Sequence, residues 1–111
     1  MKNIYDHIKE SSIKHDVKLI WNSPDCKQNV AFCSNFKRYI KFGKFDNNND
    51  LLLSYYHELG HMYDNNKHVL RTGAQCEIDA WKKAFKLMEE DNIDIDYGFI
   101  QYMLKCLESY V

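Results

Sequence analysis

The strongest constraint on the fold is a change of hydrophobic period across Asp46-Asn47-Asn48-Asn49-Asp50, a tract whose side chains compete with regular backbone pairing and mark a loop. Ahead of it, residues 36–42 set Phe36, Ile40 and Phe42 on one face against Lys37, Tyr39 and Lys41 on the other, the alternation of a half-buried strand. Residues 29–33 have similar composition, and Ser34 and Asn35 between the two runs predict an antiparallel hairpin. Behind the tract, Leu52, Tyr55, Tyr56, Leu59 and Met62 recur in steps of three and four. That spacing predicts a helix of about 14 residues, capped by Asp50 and stopped at Asn65-Asn66.

The flanking segments complete the pattern. Ile4, Tyr5, Ile8 and Ser12 lie at helical spacing within residues 2–15, Val17 to Trp21 reads as a strand, and Asn22-Ser23-Pro24-Asp25 as a turn. Thr72-Gly73-Ala74-Gln75 fits the start of a helix whose inward stripe is Ala80, Trp81, Ala84 and Met88. A last helix is expected from Asp94 or Asp96 to Tyr110, with Ile100, Met103, Leu104 and Leu107 inward. An N-terminal helix, a small antiparallel-containing sheet and three further helices make an α+β fold in a single domain, residues 1–111. A chain of this size hides roughly two thirds of its extended surface, enough for one modest core.

Charge and apolar runs limit the partners. With Lys+Arg 15 against Asp+Glu 16, the net charge of -1 demands no polyanion. Lys37, Arg38, Lys41 and Lys44 interleave with Phe36, Tyr39, Phe42 and Phe45, a pattern that can stack bases but that an ordinary strand explains better, so no nucleic acid is expected. No apolar run is long enough for a membrane span or a secretory leader. Cys26, Cys33, Cys76 and Cys106 are scattered without a C-x-x-C pair, which suits reduced thiols and a cytoplasmic location.

Within the first helix after the loop stands His57-Glu58-Leu59-Gly60-His61. Four residues carry a helix through about 400°, so the two imidazoles emerge one turn apart on nearly the same line and can grip one cation. Neutral imidazole suits Zn²⁺, while Glu58, one position on, projects to the side where it can take a proton from water activated by the metal. Gly60 destabilises a helix interior by about 1 kcal/mol relative to Ala, which predicts the close approach of another element.

A catalytic zinc site takes three protein ligands and leaves one position open. Asp64, His68, Cys76, Glu77 and Asp79 are candidates for the third. Glu77 is preferred because it shares a helical face with Ala80, Trp81, Ala84 and Met88, and a carboxylate at the head of an apolar stripe needs a cation or donors beside it. Asp79, four residues before Lys83, reads as half of a surface pair. Tyr63 and His68 follow the helix closely enough to offer a hydrogen bond to an oxyanion, although structural roles explain them better.

Tyr55-Tyr56-His57-Glu58-Leu59-Gly60-His61, followed downstream by Glu77-Ile78-Asp79-Ala80-Trp81, resembles the ImmA/IrrE-type zinc metallopeptidase domain over roughly residues 30–90. The resemblance implies a minimal, gluzincin-like zincin fold, with zinc on His57, His61 and Glu77, Glu58 as catalytic base and a strand, here 36–42, along the cleft. An extended protein or peptide substrate would pair with the exposed edge of that strand. In the family the target is often a transcriptional repressor encoded nearby in phage or mobile elements. The chain departs from the pattern in having Asp79 where Glu is frequent, a bulky Trp81, and no visible helix-turn-helix or sensor domain. The alternative function is a non-catalytic, zinc-stabilised protein-binding module using the same ligands.

Overall fold

The computed structural model describes residues 3–64 and 70–109. The chain runs α1 (Ile4–Lys14), β1 (Lys18–Ile20), β2 (Ala31–Ser34), β3 (Tyr39–Phe42), α2 (Asn48–Met62), α3 (Gly73–Glu90) and α4 (Tyr97–Glu108). This is the expected α+β order of one helix, a small sheet and three helices. No helix among the described residues is long and apolar enough to cross a membrane.

The sheet departs from expectation in the order of its strands, β1-β3-β2. β3 is central, pairing in parallel with β1 (Leu19 opposite Ile40) and antiparallel with β2 (Cys33 opposite Ile40). The predicted hairpin is present, but the strand assigned to 36–42 begins only at Tyr39. Residues 35–38 form its turn: the Lys37 N–H donates to Ser34 Oγ at 3.2 Å, Arg38 takes a φ of 56°, and Phe36 is 94% exposed instead of facing inward. With both its edges paired, β3 has no free backbone to offer a substrate strand. The outer strands are β1 and β2.

α2 starts earlier than predicted because Asn47, not Asp50, is the N-cap: its side chain accepts from the N–H groups of Asn49 and Asp50. Asp50 sits instead in the first turn, where its charge complements the helix dipole. From Leu51 to Met62 every residue is buried except His57 and His61, which are half-buried on one line. The helix is therefore the axis of the core, enclosed by sheet, α1, α3 and α4, with a single strip facing out. The expected stop at Asn65-Asn66 lies outside the described residues; the helix ends at Met62, with Tyr63 as its C-cap.

α3 follows expectation: Thr72 caps it by accepting from the Gln75 N–H, and Ala80, Trp81, Ala84 and Met88 are buried, with Leu87 beside them. α4 is capped by Asp96 but rotated relative to prediction. Phe99 is its buried residue and Tyr102, Met103, Cys106 and Leu107 pack on the core, whereas Ile100 and Leu104 are exposed. Apolar residues occur around most of this helix, so spacing alone leaves its phase undetermined, and the aromatic rings of Phe99 and Tyr102 decide it.

A partly buried polar network ties α1 to α2 and to the end of α3. The Tyr56 hydroxyl donates to Asp91 Oδ2 at 2.6 Å and lies 2.8 Å from His7 Nε2, the Tyr55 hydroxyl donates to Ser11 Oγ at 2.8 Å, and Lys14 Nζ reaches Asp91 Oδ1 at 2.9 Å. Burial works to raise the Asp91 pKa, but the Tyr56 hydrogen bond and the Lys14 ammonium hold it below its ordinary value of 3.8. Asp91→Asn is therefore expected to lose about 1.5–3 kcal/mol of stability at neutral pH. A depressed carboxylate pKa contributes stability above the unfolded-state value and loses it as pH falls through the folded one. Urea melts of the two proteins should accordingly converge as the pH is taken below about 4.

Candidate metal centre

The out-facing strip of α2 places the His57 and His61 rings with centroids 4.6 Å apart, tilted by 54°. α3 crosses close by because Gly60 has no side chain: a Cβ there would overlap the Ala80 carbonyl oxygen and come within 3.3 Å of the Ala84 nitrogen. This close approach is the one that a glycine inside a helix predicts. It brings the first turns of α3 over the motif, so that Glu77 Oε2 lies 2.6 Å from His57 Nε2 and Oε1 3.2 Å from His61 Nε2. Trp81, one turn further along α3, stacks flat on His57 with centroids 4.3 Å apart and planes 5° from parallel. The bulky residue noted as a departure from the family pattern thus fixes the plane of an imidazole. Its spacing of four from Glu77 was the available signal.

The electrostatics follow from this crowding. Burial alone would raise the pKa of Glu77, but the hydrogen bonds from His57 and His61, and their charge, hold it far below the usual carboxylate range. For His61, burial opposes protonation, yet the bond to Glu77 and the carboxylates of Glu58, Glu77 and Asp64 raise its pKa. Glu58 points to the other side of the strip, with Oε2 3.8 Å from His57 Nδ1, beyond hydrogen-bond distance. It is buried, and that burial, helped by the Glu77 charge and opposed by His61 and by a hydrogen bond from the Cys33 backbone, pushes its pKa up to about 7. Cys33 thus turns a backbone group of β2 off the sheet edge toward Glu58.

One nitrogen of each imidazole and one oxygen of Glu77 lie within 4.8 Å of one another. A tetrahedral ion with bonds of about 2.0–2.1 Å needs donor atoms roughly 3.3 Å apart. The two imidazoles meet different oxygens of Glu77, at 2.6 and 3.2 Å, so to hold an ion through one oxygen the carboxylate would turn between them. Two imidazoles and one carboxylate also match the donor chemistry of a divalent transition metal, so the residues fit such an ion. The same three side chains satisfy one another through hydrogen bonds, which keeps the donors together. Beside them opens a groove of about 340 Å³, lined by Val30 and Ala31 near the outer edge of β2, by Ser54, His57 and Glu58, by Glu77, and by Tyr102 and Cys106 of α4.

The other candidates lie elsewhere. Asp79 does not pair with Lys83: Arg71 spans Asp79 Oδ2 at 2.7 Å and Asp64 Oδ2 at 2.6 Å, while Lys83 lies over the Tyr63 ring. That clasp joins residues seven and eight positions apart, a spacing that no single helix face brings together. The Tyr63 hydroxyl is 2.7 Å from His15 Nδ1, and His68 lies outside the described residues. Cys76 is not in the donor group. The basic and aromatic residues of 36–45 are dispersed in the fold: Phe42 is buried against Trp21, Lys41 pairs with Asp25, and Arg38 donates to the His15 carbonyl.

Comparison of the chain with protein-family models, curated proteins and solved structures finds no match. The likeness to ImmA/IrrE-type domains therefore rests on the two motifs themselves.

Proposed function

We propose that this chain is a zinc-dependent metallopeptidase of the HExxH type, acting on a peptide bond of a protein substrate, with a regulatory protein such as a repressor as the target that its resemblance suggests. The observation that carries the reading is the convergence of His57, His61 and Glu77 from two helices, beside a buried Glu58 that is not one of the converging donors. His57, His61 and Glu77 would hold the metal. Zinc bound there would supply Lewis acidity, polarising a carbonyl and making water more acidic.

The protein's own groups supply the rest. Glu58 takes a proton from the attacking water, whose oxygen joins the scissile carbonyl carbon, and returns that proton to the departing amine as the C–N bond breaks. Trp81 keeps the His57 ring from turning, and Glu77 is held between the two imidazoles. The substrate backbone would run along β2, whose outer edge adjoins the groove.

Zinc analysis of protein purified without added metal tests the ligand set. The wild type should carry stoichiometric zinc, and His61→Ala and Glu77→Ala should each carry under a tenth of it. At free zinc a hundred times its Kd, the wild type should gain about 2.7 kcal/mol of stability and the variants little. Equal zinc in wild type and His61→Ala would refute the assignment.

A further inference from the structure

One group in the groove has a chemistry that this reading leaves unused. Tyr102, on α4, forms a wall of the groove that also contains His57, Glu58 and Glu77. Its ring meets Trp81 edge-on, centroids 6.2 Å apart at 71°, and Trp81 in turn lies flat on His57. A single indole therefore fixes both the candidate ligand and the phenol.

The hydroxyl of Tyr102 lies 3.2 Å from Ser54 Oγ, long for a bond between hydroxyls, whose usual separation is about 2.7–2.8 Å. Its other partner is the Cys106 thiol, and sulfur is a weak acceptor, so a charged oxygen will displace both. Burial raises the phenol pKa, and the group keeps its proton through the physiological range. The neighbouring donors are less suited to a substrate. Asn29 gives its amide to Asp46 at 3.1 Å, Ser109 donates to the Cys106 carbonyl at 3.0 Å, and a thiol such as Cys106 is a weak donor.

We infer that Tyr102 is a catalytic hydrogen-bond donor to the carbonyl oxygen of the scissile peptide, exchanging its long contact with Ser54 for the oxyanion that develops as water adds. The proton remains on the phenol oxygen, and no bond to Tyr102 is made or broken. A donor that meets its acceptor at full strength only when charge has developed lowers the barrier without tightening substrate binding equally. The inference depends on the hydrolase reading and takes the place of Tyr63 and His68, the donors that chain position alone suggests.

The test uses the full chain loaded with zinc and a phosphinic pseudopeptide with apolar side chains on both sides of phosphorus, whose tetrahedral oxyanion mimics the adduct. Tyr102→Phe, which keeps the ring against Trp81, should weaken its binding about 10–100-fold in calorimetric titration. Zinc content and Tm should be unchanged, which a merely structural tyrosine would not permit alongside that loss. Binding within twofold of wild type, a fall in zinc content or Tm that accounts for the loss, or no saturable binding to the zinc-loaded wild type would each overturn the inference. Failure of the hydrolase reading itself is seen separately, as equal zinc in wild type and His61→Ala.

Discussion

Glu58→Gln should abolish peptide hydrolysis, lowering kcat by at least about 10²–10⁴-fold, while zinc content stays at the wild-type level. The amide is isosteric with the carboxylate and retains an oxygen that can accept from the Cys33 backbone, but it cannot take a proton from water. Since Glu58 is not among the three converging donors, the variant leaves the metal grip intact. Stability should move the other way. A carboxyl whose folded-state pKa is raised from 4.5 to about 7 binds more protons folded than unfolded in that window, so its ionisation destabilises the fold progressively between those values. Zinc-free Glu58→Gln should therefore be more stable than zinc-free wild type above neutral pH, by on the order of 2–3 kcal/mol, and equal to it near pH 4. Full cleavage of a protein substrate by the variant would rule out Glu58 as the base. A partner bound equally well by both proteins, with neither one cleaving it, would favour the zinc-stabilised binding module.

Gly60→Ala is expected to damage stability and metal affinity together. A methyl group at this position collides with the Ala80 carbonyl, a backbone atom in the middle of a helix that cannot rotate away. Overpacking of this kind typically destabilises by 1–3 kcal/mol, against a gain of about 1 kcal/mol from the better helix propensity of Ala. The net effect should be a loss of up to about 2 kcal/mol, read as a lower urea midpoint with unchanged slope. Gly60→Val, with more bulk and no such gain, should not fold stably. If α2 and α3 separate, Glu77 moves with α3 while the two histidines stay on α2, so zinc competition should show affinity reduced at least about tenfold. An alanine variant with wild-type midpoint and zinc affinity would mean that the close crossing of the helices does not set the site.

The parts of the molecule legible in the sequence are those governed by local periodicity. His57 and His61 four residues apart, Glu77 in phase with Ala80 and Trp81, and the apolar stripe of α3 all follow from helix geometry, whereas Glu77 meets the two histidines because α3 crosses α2 closely at Gly60. Strand order is not local. Alternation in residues 39–42 identifies a strand, but its central position depends on β1 returning in parallel from α1, to which the hairpin sequence gives no clue. α4 misleads for a different reason: Ile100 and Leu104 are as apolar as Phe99 and Tyr102, and burial is decided by shape against Trp81 and Ser54. Among Asn47, Asn48, Asn49 and Asp50 any could cap a helix, so the start of α2 was fixed only to within a turn.

Because the motif helix is enclosed on every side but one strip, its amides should be among the last in the molecule to exchange with deuterium, opening only when the whole domain does. A chelator would then leave behind a folded scaffold with its three donors still assembled. Ion uptake at such a centre requires no refolding, so reloading should be rapid and fully reversible, unlike that of small domains whose folding is driven by the ion itself.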